Sequence, residues 1–271
     1  MEQTESLSDK IVINHVSKHF SSSDRLTHVL EDVSLTIKAN EFVCLLGPSG
    51  CGKTTLLNLI AGFEFPEQGE ILVDGRRVVE PGSDRMFMFQ ESALFPWLNT
   101  IENITFGLKL HPGLTSQERK EKADFFIRLV GLEKFAKAYP HELSGGMKQR
   151  AALARAIAPN PQVLLMDEPF AALDALTREQ LYEDLQLIWE DQKMTIVFVT
   201  HNVAEAACLG DRVVLFSSHP GKIYKEFYIP LERPREIRDL EVARFAGQIT
   251  HDLRTYFPIR TLGHITKKGS G

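Results

Sequence analysis

The segment Gly47-Pro48-Ser49-Gly50-Cys51-Gly52-Lys53-Thr54 constrains this chain more than any other, because it satisfies the pattern G-x-x-x-x-G-K-[ST] between an apolar run and a helix-like run. Phe42-Val43-Cys44-Leu45-Leu46 reads as a buried strand, and Thr55-Leu56-Leu57-Asn58-Leu59-Ile60 reads as the first turns of a helix. A strand that passes through a glycine-rich turn into a helix points successive backbone N–H groups at one spot. The helix N-terminus adds its own partial positive charge there. Gly47 to Gly52 would wrap a β-phosphate, Lys53 would reach the β/γ oxygens, Thr54 would hold Mg²⁺, and Thr55 would continue the phosphate-facing turn. The spacing predicts a nucleoside triphosphate site. An ordinary glycine turn, the competing reading, leaves the flanking strand and helix unexplained.

Two further segments narrow the kind of triphosphate chemistry. Leu143-Ser144-Gly145-Gly146-Met147 precedes Lys148-Gln149-Arg150 and a helical stretch through Ala158, and Val163-Leu164-Leu165-Met166-Asp167-Glu168-Pro169 is an apolar strand ending in two carboxylates. Alone, the first is a helix-start turn and the second a common α/β strand end. In this order behind the phosphate loop, they resemble the signature and Walker B motifs of ATP-binding-cassette (ABC) ATPases. The resemblance implies ATP as the nucleotide, Asp167 as a ligand of Mg²⁺ directly or through water, and Glu168 as the group that polarises the attacking water.

The same resemblance extends residue by residue. Gln90, closing the apolar strand Met86-Phe87-Met88-Phe89, is similar to the Q-loop glutamine that contacts Mg²⁺ or the attacking water; a plain strand cap is the alternative. Ala172-Leu173-Asp174 resembles the D-loop, whose aspartate communicates between two nucleotide sites, while Asp174 also reads as the N-cap of a helix-like run from Ala175 to Glu190. His201, following Thr195 to Thr200, resembles the switch histidine that senses the γ-phosphate. Phe20 resembles the aromatic that stacks on adenine; core packing is its alternative, and its neighbours Lys18, His19 and Ser21 to Ser23 read as an exposed loop. The family arrangement implies a head-to-tail homodimer, or a paired cassette, in which Ser144, Gly145 and Gly146 of one subunit meet the γ-phosphate held by Lys53 of the other.

Composition bounds the rest. At 271 residues, 43% hydrophobic and 25% charged, the chain suits one soluble α/β cassette. No run approaches the roughly 18 consecutive apolar residues of a spanning helix, and Met1 to Lys10 is too acidic and polar for a signal peptide. A cytosolic location is expected. The three cysteines, Cys44, Cys51 and Cys208, lack metal-ligand spacing and suit a reducing compartment. Cys51 reads either as a filler or as a thiol activated by the helix terminus. The net charge of −5 argues against general nucleic-acid binding.

The expected fold class is α/β: a P-loop NTPase (RecA-like) core with an N-terminal antiparallel β subdomain and an inserted α-helical subdomain. Strands are read at Ile11 to Val16, His28 to Ile37 and Glu41 to Leu46, with a hairpin over Glu70 to Val79. Helices are read at Thr100 to Leu110, Gln117 to Val130 and Gly145 to Ala158, capped by Asn99 or Thr100 and by Ser116; they fill the helical subdomain, about 91–158. Strands return at Val163 to Met166, Ile196 to Val199, Arg212 to Phe216 and Lys222 to Ile229. The ATPase domain is expected over 10–234, followed by a short C-terminal extension over 235–271. Within that extension Ile237, Leu240, Phe245, Ile249, Leu253 and Tyr256 predict a docked amphipathic helix. A membrane-surface helix fits less well, since Glu236, Asp239, Glu241 and Asp252 dilute its basic face. Thr266 to Gly271 reads as a disordered end.

Three local segments carry a narrower resemblance. Pro81-Gly82-Ser83-Asp84-Arg85, Leu94-Phe95-Pro96-Trp97-Leu98 and Ser217-Ser218-His219-Pro220-Gly221-Lys222-Ile223 are similar to ATPase subunits of the nitrate, sulfonate, taurine and bicarbonate importers, with His219 where that group usually has Arg. This implies an integral membrane permease, a periplasmic or lipid-anchored solute-binding protein, and a peripheral position on the cytoplasmic face of the inner membrane. Phe95, Pro96 and Trp97 are the candidates for docking the permease. Phe95 reads equally as core, and Trp97 as exposed. An exporter or extraction complex is the nearest alternative; a non-transport ABC clamp and a P-loop kinase fit less well.

Overall fold

The computed structural model describes residues 8–22, 25–109, 113–171 and 173–256. Its frame is a six-stranded sheet of β3 (Phe42–Leu46), β6 (Arg85–Met88), β7 (Val163–Asp167), β8 (Thr195–Thr200), β9 (Arg212–Phe216) and β10 (Ile223–Tyr228), in the order β10-β9-β3-β8-β7-β6. All neighbours run parallel except β10, which returns antiparallel along β9. Sheets of this kind are covered on both faces, which is why the strands are apolar without alternation. In β3, Phe42, Cys44 and Leu46 join the core beneath the helices, while Val43 and Leu45 join the core on the opposite face.

The second sheet is antiparallel, with β1 (Asp9–Ser22), β2 (Arg25–Lys38), β4 (Gln68–Val73) and β5 (Arg76–Arg77) in the order β2-β1-β4-β5. Ile11, Ile13, Leu35, Ile37, Ile71 and Val73 of this sheet pack with α1 (Lys53–Ala61) against the second face of the parallel sheet. β1 runs further than the sequence suggests. Lys18 and His19 pair with Leu30 and His28, and Phe20 pairs with Thr27, so the expected exposed loop is strand instead. Lys18 is buried, its ammonium held by the Phe65 carbonyl at 2.8 Å and by Glu67 at 3.1 Å. Those partners lie far along the chain, and a loop reading from adjacent polar residues misses them. Ser23 lies outside the described residues.

Between β6 and β7 the described chain is helical: α2 (Thr100–Lys109), α3 (Ser116–Leu129) and α4 (Gly145–Ile157). Asn99 and Glu102 cap α2 reciprocally, each side chain accepting from the other's backbone N–H. α3 is capped by Thr115, not by Ser116. The Thr115 hydroxyl accepts from the Glu118 N–H and the Glu118 carboxylate accepts from the Thr115 N–H, the capping box T-x-x-E. α5 (Ala175–Gln192) and α6 (Val203–Leu209) cover the core's helical face. Near the end of α5, Trp189 is half-buried against Phe42 with the Arg233 guanidinium 4.5 Å from its ring centre.

α7 (Leu240–Tyr256) follows, docked by Val242, Phe245, Ile249 and Leu253. Its salt bridge from Lys225 to Asp252, at 2.5 Å, and the contact of Tyr224 with Tyr256 fasten it to β10. Leu240, expected on the docked face, is 82% exposed at the first turn. Leu110, Ala172, Phe257 and Thr266 to Gly271 lie outside the described residues. Among the described residues, no helix is long and apolar enough to cross a membrane.

Candidate active site

β3 delivers the chain to Gly47, and α1 begins at Lys53, so the phosphate loop occupies the carboxyl end of the parallel sheet. Ligands of open α/β sheets bind at this edge. Gly52 caps α1 with φ of 96°, a left-handed backbone that glycine adopts without steric cost. A β-carbon there would also press on Leu30 at 2.6 Å. The Lys53 ammonium lies under the loop, donating to the Gly47 and Pro48 carbonyls at 2.8 and 3.0 Å. Its third contact is the Cys51 sulfur at 3.7 Å, a weak acceptor that a phosphate oxygen would displace. Burial pushes the Cys51 thiol up, with Lys53 opposing, so Cys51 is a packed filler rather than an activated nucleophile.

The loop is braced from behind by the segment that follows β9. Gly221 exchanges backbone hydrogen bonds with β2: its carbonyl accepts from the Glu31 N–H, and its N–H donates to the Val29 carbonyl. A β-carbon at Gly221 would stand 2.0 Å from the Cys51 carbonyl oxygen. The Ser217–Ile223 motif, noticed in the sequence only as a likeness, is therefore the wall against which the phosphate loop rests.

β7 carries the acidic pair to the same edge. The Thr54 hydroxyl donates to Asp167 Oδ1 at 3.1 Å. Burial pushes the Asp167 carboxyl above its ordinary range, the Thr54 bond pulls it back, and the Glu168 charge pushes it further up. Glu168 has φ of 43°, uncommon for a residue with a side chain. Its N–H donates to the Val199 carbonyl at 3.0 Å, tying the end of β7 to β8. His201, just past β8, places Nδ1 3.0 Å from Glu168 Oε2. Oxygen donors at Thr54 and Asp167 are the set a hard cation such as Mg²⁺ selects.

Glu168 and His201 share a cavity of about 450 Å³ with Leu46, Gly47, Pro48 and Ser49. Thr250, Leu253 and Arg254 of α7 form its remaining wall. Sequence reading gave α7 no place beside the phosphate loop, because only the tertiary docking of the helix brings it there.

The other anticipated residues lie outside this cavity. Ser144 is exposed and N-caps α4, accepting from the Met147 N–H at 3.3 Å; Gly145 is open to solvent and Gly146 packs near Leu173. Gln90 is exposed, and its carbonyl accepts from Gln149 of α4 at 2.7 Å. Asp174 N-caps α5, accepting from the Thr177 N–H at 3.0 Å, a bond that holds its carboxyl below the usual range. Phe20 is 42% exposed on β1, so it is not a core residue.

Along the chain, Gln90 lies between two aromatic groups. Phe63, Phe87 and Phe89 contact one another, with Phe63 and Phe89 exposed. Phe95 is half-buried between Trp97 and Phe106, under the Arg155 guanidinium, and Trp97 is 69% exposed. Sequence reading found the second group and missed the first, although Phe63, Phe65, Phe87 and Phe89 were visible as aromatics beside two motifs.

Residues 30–171 match the family model described as ABC transporter. An uncharacterized ABC transporter ATP-binding protein of Methanocaldococcus jannaschii is 46% identical over 245 residues, covering 90% of this chain and 91% of that one. The aliphatic sulfonates import ATP-binding protein SsuB of Bacillus cereus is 47% identical over 83% of this chain and 88% of its own length. The nitrate import ATP-binding protein NrtD of Synechocystis is 46% identical over the same shares, 83% and 88%. A dimeric structure of the ATP-binding cassette MJ0796 in a post-hydrolysis state with ADP and Pi superposes with a TM-score of 0.73 at 32% identity, covering 82% of this chain and all of that one. With a phosphate loop, an acidic pair and a histidine gathered at one sheet edge, and relatives matching over most of their length, the chain belongs to the ABC transporter family as an ATP-binding subunit that hydrolyses ATP.

Proposed function

We propose that the chain energises uptake of a small anion, such as a sulfonate, taurine, nitrate or bicarbonate, through a membrane permease. The observation that carries the reading is the shared cavity of the phosphate loop, Glu168 and His201, in a chain 46% identical to a nitrate import protein and 47% identical to a sulfonate import protein. Lys53 and the backbone N–H groups of the phosphate loop through Thr55 bind the triphosphate, and Phe20 offers an exposed ring to adenine. Thr54 and Asp167, with Gln90 from the loop after β6, would hold Mg²⁺, which would supply charge neutralisation at the phosphates. Glu168 orients and deprotonates water, and His201 holds the γ-phosphate end while steadying Glu168.

The exposed start of α4 supports a site completed by a second copy, its Ser144, Gly145 and Gly146 meeting the phosphate loop opposite, with Asp174 near the junction. ATP then closes the dimer and hydrolysis reopens it. The aromatic face around Gln90 docks the permease. A periplasmic or lipid-anchored solute-binding protein delivers the anion, and the subunit sits on the cytoplasmic face of the inner membrane. The ATPase domain spans 10–234, with 235–271 as an extension.

The test is Glu168→Gln beside Lys53→Ala, assayed for ATP binding, single-turnover hydrolysis and uptake of labelled nitrate and sulfonate by cells. Glu168→Gln should keep ATP binding, slow hydrolysis on the order of 10² to 10⁴-fold and stop uptake. Lys53→Ala should weaken binding. Wild-type hydrolysis by Glu168→Gln overturns the catalytic assignment. Unchanged anion uptake alongside slowed hydrolysis overturns the importer assignment alone.

A further inference from the structure

Behind His201 lies a buried polar cluster that the mechanism above does not use. Glu205, on α6, is only 6% exposed, Thr200 is 2% exposed and Tyr182 of α5 is 1% exposed. The Thr200 hydroxyl donates to Glu205 Oε2. The same hydroxyl oxygen accepts from the Asn202 N–H at 3.0 Å, and the Asn202 side chain accepts in turn from the Ala204 and Glu205 N–H groups. Thr200 and Asn202 flank His201 in the chain. Both residues bordering the histidine are thus fixed by one hydroxyl whose proton is committed to Glu205.

A carboxylate is seldom this buried without a task or a full set of partners. Its titratable and charged neighbours are Tyr182, Arg178, His201, Cys44 and Cys208. Burial pushes the Glu205 carboxyl up, while the hydrogen bond from Thr200, the nearby Tyr182 hydroxyl and the Arg178 charge pull it down. Arg178 also donates to the Leu173 carbonyl, immediately before Asp174. The cluster therefore spans from the turn bearing His201 to the turn bearing Asp174.

We infer that Glu205 is a positioning residue for ATP hydrolysis: through the Thr200 hydroxyl it fixes the turn that presents His201 to Glu168 and the γ-phosphate. The inference rests on the hydrolytic role given to His201 above. Glu205 is buried and does not line the cavity that holds Glu168 and His201. Its effect is confined to the aim of the imidazole, so its loss should slow turnover and spare ATP binding.

The experiment measures kcat, KM for ATP, equilibrium binding of a fluorescent ATP analogue and Tm for Glu205→Ala, Thr200→Val, Glu205→Gln, His201→Ala and the double variant His201→Ala/Glu205→Ala, all in the full chain. Misaiming a reacting group by about 1 Å costs up to ~10²-fold, so Glu205→Ala and Thr200→Val should each lower kcat on the order of 10 to 10²-fold. The analogue's affinity should stay within about threefold. Glu205→Gln, which keeps an acceptor for Thr200, should restore kcat to within about threefold of wild type. In the His201→Ala background, Glu205→Ala should change kcat by less than about twofold, the non-additivity of groups acting as one unit.

Wild-type kcat in Glu205→Ala and Thr200→Val overturns the inference, as does a loss that multiplies fully with that of His201→Ala. If Glu205→Ala fails to fold, Thr200→Val carries the same test with the shape of the side chain kept. Wild-type turnover by His201→Ala would remove the histidine from hydrolysis, and the inference with it. Impaired His201→Ala with unimpaired Thr200→Val removes only the inference.

Discussion

Gly221→Ala perturbs the phosphate loop from behind without touching a nucleotide contact. Its added β-carbon would lie 2.0 Å from the Cys51 carbonyl oxygen and 3.1 Å from the Cys51 carbonyl carbon. Non-bonded heavy atoms settle near about 3.5 Å, so the two segments must part by more than ~1 Å. The obstacle is backbone and cannot rotate aside. The Glu31 and Val29 hydrogen bonds to Gly221 hold its own segment in place, so the phosphate loop yields. Overpacking of this kind costs about 1–3 kcal/mol, roughly a 2–10 °C fall in Tm for a domain of this size. The displaced N–H groups should weaken ATP binding on the order of tenfold or more. Titration with a fluorescent ATP analogue and thermal denaturation measure the two effects. Gly247→Ala is the control: it lies in α7 with nothing within 4 Å of an added β-carbon, and should be neutral or stabilise by up to about 1 kcal/mol. Wild-type affinity in a Gly221→Ala protein with lowered Tm would refute the bracing argument, because the segment would then stabilise the fold without shaping the loop.

Trp97→Ala should reduce stimulation of ATPase by the permease more than turnover of the isolated subunit; equal reductions, or a collapse in Tm, would assign Trp97 to folding. Asp167→Asn should raise the Tm of the protein without nucleotide at neutral pH. Because burial raises the Asp167 pKa, the ionised form disfavours folding, a penalty complete above the folded pKa and absent below the unfolded one, so the gain should fade in acid; a gain that grows in acid contradicts this. Arg254→Glu, reversing charge on the α7 wall of the catalytic cavity, should weaken ATP binding several-fold at low salt and less at high salt, roughly as screening lengths shorten from about 30 to 3 Å. Salt-independent affinity would place Arg254 too far to act.

What the sequence disclosed and what it concealed divide along the range of the forces involved. The phosphate loop, the Ser144 and Asp174 caps and the apolar strands are set by neighbours within a few residues, and the chain spells them out. The cap of α3 was also spelled out, yet reading Ser116 as the cap misplaced it by one residue: Thr115, not Ser116, stands three residues before Glu118. Lys18 is different. A lysine between a serine and a histidine looks solvated until Phe65 and Glu67 close over it. Glu205 likewise reads as a surface charge on a helix, because Tyr182 and Arg178 approach it from α5. The wall of α7 beside Ser49 and the contact of Gly221 with Cys51 are products of packing, with no trace in local spacing.

The chain holds two tryptophans in opposite settings. Trp97 stands in solvent on the aromatic face, whereas Trp189 is pressed between Phe42 and the Arg233 guanidinium. Their emission is therefore already partitioned: a long-wavelength component from Trp97 and a shorter, cation-perturbed component from Trp189. A ligand that covers the aromatic face should blue-shift and protect from quenching only the first, while unfolding of the core should alter the second. Unlabelled protein thus carries separate optical readouts for docking and for integrity, and a Trp97→Phe variant would isolate the core signal.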